Sequence, residues 1–406
     1  MTQGPFLILL VGSNPLPNYL AACALRPSRV ALVHTKETGD AKDRLKRELK
    51  AKLGESVVVE EPFIDDATCA TTVRRDLDPF MRSEDRGDVL LNYTGGTKVM
   101  AAHARMAFTE ANRKPEHASY LDEGGRDHSG VDHQPRLRFD NNTSQAISDY
   151  SDVGLDLKTL LALHGITHEP REPKAPAPTS EDAREILCKV LADPPLAAAL
   201  YCERERLEDR EYSNPSAATS APFVAERYGL GLSLPAFPTD TLLNGLANRR
   251  HRESWFKQWY KFIGGEWLEE WLGEQIRALE LAPAPEITVG VNAYRGEKKA
   301  QLEVDLAVIR GHRSYLVSCT TDVSKPICKL KLFEVAVRSR QLGGDLARAA
   351  LVCLADDRAV SALQEDVDDV WGASNTTKVF GLSDIRAWSD CGKQPNRHSL
   401  KTWLES

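Results

Sequence analysis

Two stretches of the chain carry residue types that could do chemistry. The first is "NYTGGTKVM" (92–100), where Thr94, Gly95, Gly96, Thr97 and Lys98 follow the apolar pair Leu90 and Leu91. A helix-patterned run, "AAHARMAF", comes next. Glycine amides that open a helix make a nest for an anion, because the backbone can approach closely and the helix dipole favours negative charge. The threonine hydroxyls can donate to such an anion, and Lys98 offers a point charge suited to phosphate. The alternative is a tight strand-to-helix turn capped by threonine. Neither GxxxxGK[ST] nor GxGxxG occurs, which disfavours a Walker-type ATP site and a dinucleotide site.

The second stretch is acidic. Glu303 and Asp305 alternate along "LEVDLAVI", so they share one face of a strand. Acids at alternate positions of an apolar strand are unusual, although a solvated strand edge would also explain them. Glu266 and Glu269 stand in "GGEWLEEWL" upstream, and "YLVSCTTD" follows. Cys319 has no evident histidine partner, which favours core packing over a nucleophile. "NRRHRESWFKQWYKF" (248–262) interleaves basic and aromatic residues, the composition that stacks bases and tracks phosphates. Trp255, Trp259 and Ile263 recur at helical spacing and read as a core or dimer face. Arg249, Arg250 and Arg252 are then left for a phosphate backbone. With Lys325, Lys329, Lys331, Arg338 and Arg340 they read as a local basic cleft.

These residues need elements to hold them. "FLILLVG", "RVALVHT", "SVVVEEPF" and "DVLLNYT" are apolar runs of strand length separated by helical patterns, such as "TGDAKDRLKRELKAKLG" closed by Gly54. That alternation predicts a doubly wound parallel sheet, with ligands at the carboxyl ends of its strands. "RLRFDNN" adds a later strand or hairpin. "HEPREPKAPAPTS" (168–180) is a proline-rich linker, after which Thr179 or Ser180 caps a helix of a small connector. A different order follows: an interrupted helix near Gly264 and Gly265, three successive strands, a helix and another strand. This is an α/β sandwich. The expected division is 1–165, 166–250 and 251–406.

The 406 residues suffice for two or three cores, and a net charge of −7 argues against nonspecific coating of nucleic acid. No apolar run reaches the ~20 residues of a bilayer span. The eight cysteines are scattered, without a CxxC pair, so neither a zinc site nor a disulfide framework is expected. A reducing cytoplasm is the expected compartment.

The set "LLVGSNPLPNYLAA", "PSRVALVHTKET" and "LLNYTGGTKVMAAH" resembles the CARF domain of the ancillary nucleases of type III CRISPR systems. In those proteins a CARF sensor is joined to a PD-(D/E)xK nuclease with a restriction-endonuclease-like fold. The resemblance covers about the first 125 residues and resumes at 264–350. It implies a sensor of a cyclic oligoadenylate, foremost cyclic tetra-adenylate, lying across the two-fold axis of a homodimer. Ser13, Asn14, Thr35 and Lys36 would line the pocket, and Thr94, Gly95, Gly96, Thr97 and Lys98 would form its phosphate-facing loop. Met100 and His103 read as packing or capping residues. "YLDEGG" (120–125) is similar to a further segment of the family, or is a surface turn.

In PD-(D/E)xK nucleases an aspartate ends one strand and a Glu-x-Lys pair lies on the next. The carboxylates hold Mg²⁺ or Mn²⁺, and the lysine steadies the attacking water or the developing charge. Asp305 falls at the aspartate position with Glu303 beside it, and Glu269, or less closely Glu266, matches a helix acid. The chain departs at the Glu-x-Lys pair, where Ser318 and Thr320 replace the acid and the lysine. Lys325, Lys329 or Lys331 would have to fill the vacated place, and Asp322 offers a replacement carboxylate. The resemblance therefore implies a cytoplasmic, messenger-activated, metal-dependent nuclease of antiviral defence with an altered site, cutting DNA and/or RNA. Two alternatives remain: a degenerate effector that binds nucleic acid or a partner without cutting, and a transcription regulator.

Overall fold

The computed structural model describes residues 4–82, 88–126, 132–151, 153–169, 173, 175–208, 221–233, 249–296, 300–370 and 376–406. The fold is α/β with two sheets. Strands β1 (Phe6–Leu10), β2 (Arg29–Val33), β3 (Val58–Glu60), β4 (Val89–Asn92) and β5 (Ala118–Asp122) are parallel neighbours. After β5 come a short ladder, β6 (Gly125–Arg126) with β7 (Asp132–His133), and two antiparallel edge strands, β8 (Arg136–Phe139) and β9 (Ser144–Ala146). The order is β3-β2-β1-β4-β5-β8-β9. Helices α1 (Leu16–Leu25), α2 (Gly39–Leu53), α3 (Ala70–Arg82) and α4 (Lys98–Glu110) make the crossovers. Alternate residues of β1 enter different cores, Leu7 and Leu9 on one face and Phe6, Ile8 and Leu10 on the other. This is why the strand reads as an unbroken apolar run. From β1 the chain winds outward to β2 and β3, then returns to β4 on the other side. The switch point therefore lies between β1 and β4.

The second sheet has the order β10 (Ile166–His168), β11 (Glu286–Arg295), β12 (Ala300–Arg310), β13 (Arg313–Thr320), β14 (Arg348–Cys353), β15 (Thr377–Phe380). It is antiparallel up to β13 and parallel beyond. One apolar core joins the two sheets, for Leu7 and Leu9 belong to the same cluster as Val291, Leu316, Val335 and Leu342. Between the sheets the chain runs through α5 (Leu157–Leu163), α6 (Ser180–Ala192), α7 (Pro195–Glu208), α8 (Ala221–Arg227), α9 (Arg249–Lys261) and α10 (Trp267–Arg277). The long helix α11 (Lys325–Gly343) then crosses from β13 to β14.

Thr179 caps α6 in a capping box with Asp182. The helix buries Ala183, Ile186, Leu187 and Val190 in a core with Trp255, Trp259, Trp267 and Trp271 of α9 and α10. The aromatic residues of 255–263 are thus core. The proline-rich segment is pinned to them, because the Pro176 carbonyl accepts the indole N–H of Trp255 at 2.8 Å and of Trp259 at 3.0 Å. Residues 209–220 and 234–248 of the connector lie outside the described residues, as do the side chains of Arg249, Arg250 and Arg252.

One expectation is corrected. Cys188 and Cys391 are joined by a disulfide, with Cα atoms 5.5 Å apart. They stand 203 residues apart, so no local spacing announces the pair. The other six cysteines are free. No helix among the described residues is long and apolar enough to cross a membrane.

Trp259 sits fully buried with its N–H satisfied, so Trp259→Ala leaves a large cavity and removes one of the two indole donors to the Pro176 carbonyl. A loss of about 3–5 kcal/mol is expected from urea denaturation. A loss below ~1 kcal/mol would show that this aromatic cluster does not anchor the lobe.

Candidate functional site

The first candidate site lies at the switch point. The loop after β1 (Val11–Pro15) and the loop after β4 (Tyr93–Thr97) touch through their backbones. A Cβ placed on Gly95 would lie 2.0 Å from the Leu10 carbonyl oxygen and 3.0 Å from Asn18 Oδ1. The same Leu10 carbonyl accepts the Nδ2 proton of buried Asn18 at 3.0 Å. Glycine is therefore required by close approach. Thr97 is the N-cap of α4: its hydroxyl accepts from Met100 N at 3.1 Å and donates to the Ala67 carbonyl at 3.0 Å. The Thr94 hydroxyl donates to Asn92 Oδ1 at 2.8 Å and accepts from Leu121 N at 2.6 Å.

Both threonine hydroxyls are thus occupied in building the loop, which leaves backbone amides and Lys98 to meet an anion. Gly96 and Lys98 are exposed, while Gly95 is half-buried. From the other strand ends come exposed Ser13 and Lys36. Among the described residues neither Lys36 nor Lys98 has an ion-pair partner. Thr35 is buried and donates its hydroxyl to Glu37 Oε2 at 2.7 Å, so it shapes its turn instead of facing solvent. Met100 is buried in the sheet core, and His103 is half-buried.

Asn14 has a second role. Its Oδ1 accepts from Leu16 N at 3.1 Å, and its Nδ2 lies 3.0 Å from where a Cβ on Gly344 would stand. Glu123, in the "YLDEGG" segment, accepts from Asp345 N at 2.8 Å, and burial raises its carboxyl above the usual carboxylate range. The strand-end loops of the first sheet therefore rest directly on the C-terminal end of α11. Sequence patterns missed Asn18 and Gly344, because no local periodicity marks a residue whose partner lies far along the chain.

The second candidate site lies where β12 and β13 part. Their ladder ends at Leu306 opposite Val317. Beyond it the Asp305 carboxylate takes over, with Oδ2 accepting from Ser318 Oγ at 2.8 Å and from Cys319 N at 2.7 Å. A cavity of about 770 Å³ opens beside it, lined by Glu266, Glu269, Glu270, Glu303 and Asp305, with Lys257 and Lys261 as cations. Glu269 is delivered by the first turn of α10, just after the π-helical turn Phe262–Glu266, in which Gly265 takes a non-helical φ/ψ. Burial, then the charges of Asp305, Glu266 and Glu303, hold its carboxyl well above the ordinary range, and Lys331 opposes them. Burial, then the charges of Asp305 and Glu269, push the Cys319 thiol up, so it is a neutral core thiol.

The lysines of α11 divide by helix face. Lys325 and Lys329, expected as candidates for the vacated place, reach Asp366 at 3.7 and 3.0 Å. Lys331 faces the other way, into a small cavity of about 90 Å³ shared with Asp305 and Ser318. Arg338 pairs with Glu334 and donates to the Glu303 carbonyl, and Arg340 pairs with Asp345 at 3.4 Å. The cavity beside Asp305 is thus rimmed mainly by carboxylates and most α11 cations are already engaged, while the side chains of Arg249, Arg250 and Arg252 expected in a basic cleft lie outside the described residues. The Thr320 hydroxyl accepts from Asp322 N at 3.1 Å within the turn after β13. Asp322 in turn accepts from Ser324 N at 2.6 Å.

Carboxylates suit Mg²⁺ or Mn²⁺ as hard oxygen donors. Among the described residues, however, no three His, Cys, Asp or Glu side chains gather as one ion would need. Asp305 Oδ2 is also already taken by two donors. Glu303, Asp305 and Glu269 as placed do not form a ligand set.

No family model and no curated protein matches the chain. Solved structures do. Can2 from Sulfobacillus thermosulfidooxidans in complex with cyclic tetra-adenylate aligns with a TM-score of 0.62 at 17% identity, over 99% of this chain and 100% of that one. Protein VC1899 from Vibrio cholerae aligns with a TM-score of 0.63 at 14% identity, over 99% and 98%. A type III CRISPR defence DNA nuclease activated by cyclic oligoadenylate aligns with a TM-score of 0.50 at 18% identity, over 87% of this chain and 46% of that one. The chain thus has a two-sheet α/β fold shared along its whole length. In particular it is the fold seen in Can2 and VC1899.

Two outcomes follow for these sites. Gly95→Ala forces the two loops apart, with an expected loss of about 1–3 kcal/mol in thermal or urea denaturation. Unchanged stability would mean that the loops do not need this contact. For Glu269, a folded-state pKa above the unfolded one means that the folded chain holds the proton more tightly. The resulting stability is complete below the ordinary carboxylate range and is lost as pH rises through the raised value, at up to about 1.4 kcal/mol per pH unit. Glu269→Gln removes this slope, so its advantage over wild type grows with pH. A constant difference between the two proteins from pH 5 to 8 would refute that assignment.

Proposed function

We propose that the chain is an effector of CRISPR defence that responds to a cyclic oligoadenylate and hydrolyses phosphodiester bonds of DNA and/or RNA in its second lobe. The observation that carries this reading is the end-to-end likeness to a protein in complex with cyclic tetra-adenylate. The division proposed is a CARF-like sensor at 1–165, a connector at 166–250 and a PD-(D/E)xK-like effector at 251–406, working in the cytoplasm. In the sensor, the Gly95–Gly96 amides, Lys98 and Lys36 would face the messenger's phosphates, with Ser13 and Asn14 at the rim. In the effector, the Asp305 carboxylate would take the proton of the attacking water, while protonated Glu269 supplies one to the leaving oxygen. A Glu269 carboxyl raised by burial suits the donor's part in this division of labour. No step is drawn through a metal, because the carboxylates as placed do not converge on one.

A homodimer belongs to the same proposal. Ile327, Leu330, Phe333 and Val337 are exposed at helical spacing on α11, a face that a second copy would cover. A second reading, binding without cleavage, is favoured by the Ser318–Asp305 hydrogen bond, which occupies the oxygen a catalyst would use.

The test is cleavage of labelled single- and double-stranded DNA and RNA, with and without cyclic tetra-adenylate, in Mg²⁺, Mn²⁺ or EDTA, beside Asp305→Ala. Light scattering on the same samples reads the oligomer. Messenger-dependent cutting by a dimer, lost in Asp305→Ala, is expected. Tight messenger binding with no cutting under any condition would replace the nuclease reading with the binding one.

A further inference from the structure

We propose that Lys331 is the catalytic cation of the second lobe, meeting the scissile phosphate in the place that Thr320 leaves without a charge. The inference rests on the nuclease reading above and names the residue which completes that site. It starts from a vacancy in charge. Thr320 occupies the strand position at which a lysine would point at the reacting group, and its hydroxyl is engaged by the Asp322 amide. A phosphoryl group approaching Asp305 would gather negative charge beside several carboxylates, and besides Lys257 and Lys261 across the cavity a cation on the Ser318 side would balance it.

Helix geometry selects the candidate. Along α11 the buried face runs through Cys328, Leu332, Val335 and Ser339, seated on the sheet. Lys325 and Lys329, four residues apart and so on one face, both bind Asp366. Lys331 is two residues further on, roughly 200° around the helix, and shares its cavity with Asp305 and Ser318. Among the described residues it has no ion-pair partner, whereas Arg338 on the same side is held by Glu334 and the Glu303 carbonyl. Its charge is felt by Glu269 and by Cys319, which places it in the field of the acidic cluster. A lysine suits the task, since its compact ammonium on a flexible stem can follow a non-bridging oxygen as charge builds.

The step balances without a co-reactant. A water oxygen forms the new P–O bond, its proton passes to a carboxylate of the cluster, and the bond to the leaving oxygen breaks with that oxygen taking a proton. Lys331 remains an ammonium throughout and binds the non-bridging oxygens.

The full-length protein is tested with cyclic tetra-adenylate and a labelled single-stranded oligonucleotide. Lys331→Met, which keeps the length of the side chain, is expected to lower the cleavage rate by about a hundred- to a thousandfold. Messenger affinity should be unchanged. Adding Thr320→Lys to Lys331→Met should restore at least a tenfold part of the loss, because it returns an ammonium from the strand side. Lys325→Met and Lys329→Met should cut as wild type does. Wild-type cutting by Lys331→Met, with Asp305→Ala inactive, would overturn the inference and leave the nuclease reading intact. If wild type does not cut, oligonucleotide affinity by fluorescence anisotropy decides: a several-fold loss in Lys331→Met alone would uphold Lys331 as the phosphate contact, and an unchanged affinity would remove it.

Discussion

The structure depends on how α11 is held. One face of this 19-residue helix is packed on β13 and β14 through Cys328, Leu332 and Val335. Val335 and Leu342 also enter the core that contains Leu7 and Leu9 of the first sheet. Just past its end, Gly344 takes a φ of +60° and packs tightly against Asn14 and Glu123, and Asp345 N donates to Glu123. A helix of this length spans about 28 Å and resists bending, because every interior amide is hydrogen-bonded. The position of Lys331 and Arg338 beside the acidic cluster is thus fixed by contacts made with the loops of the first sheet as well as by those beneath.

The acidic cleft is costly to build. Glu266, Glu269, Glu303 and Asp305 surround one volume, and like charges in a partly buried place favour the neutral form of at least one of them. Such an arrangement lowers stability, and proteins keep it where a site needs perturbed groups. The neighbouring tryptophan core, four indoles fully buried against α6, supplies compensating apolar burial in the same lobe. Asp305 contributes on both accounts, since its carboxylate closes the backbone where β12 and β13 separate while presenting charge to the cavity.

Much of this was legible in the chain. The continuous apolar runs gave β1, β2 and β4, and Gly54 and Thr179 marked the end of α2 and the start of α6, because strand burial and caps are local effects. Glycine pairs marked both the loop after β4 and the π-turn before Glu269. What stayed hidden depended on distant partners. Strand β10 is three residues long and exists only because β11 offers it an edge. The Cys188–Cys391 bond, the indole clasp on Pro176 and the contact of Glu123 with Asp345 join segments far apart in sequence. Of the two readings open for the threonines of the first loop, Thr97 takes that of a helix cap, and Thr94 is engaged by Asn92 and the Leu121 amide. The direction of each lysine on α11 required the helix phase, which composition alone does not supply.

The sign of the cleft has a kinetic side. A chain of net charge −7 with a cavity rimmed by Glu266, Glu269, Glu270, Glu303 and Asp305 repels a polyanion at long range. Encounter is then slowed at low ionic strength and eased when salt screens the field, the reverse of the dependence usual for proteins that grip a nucleic-acid backbone.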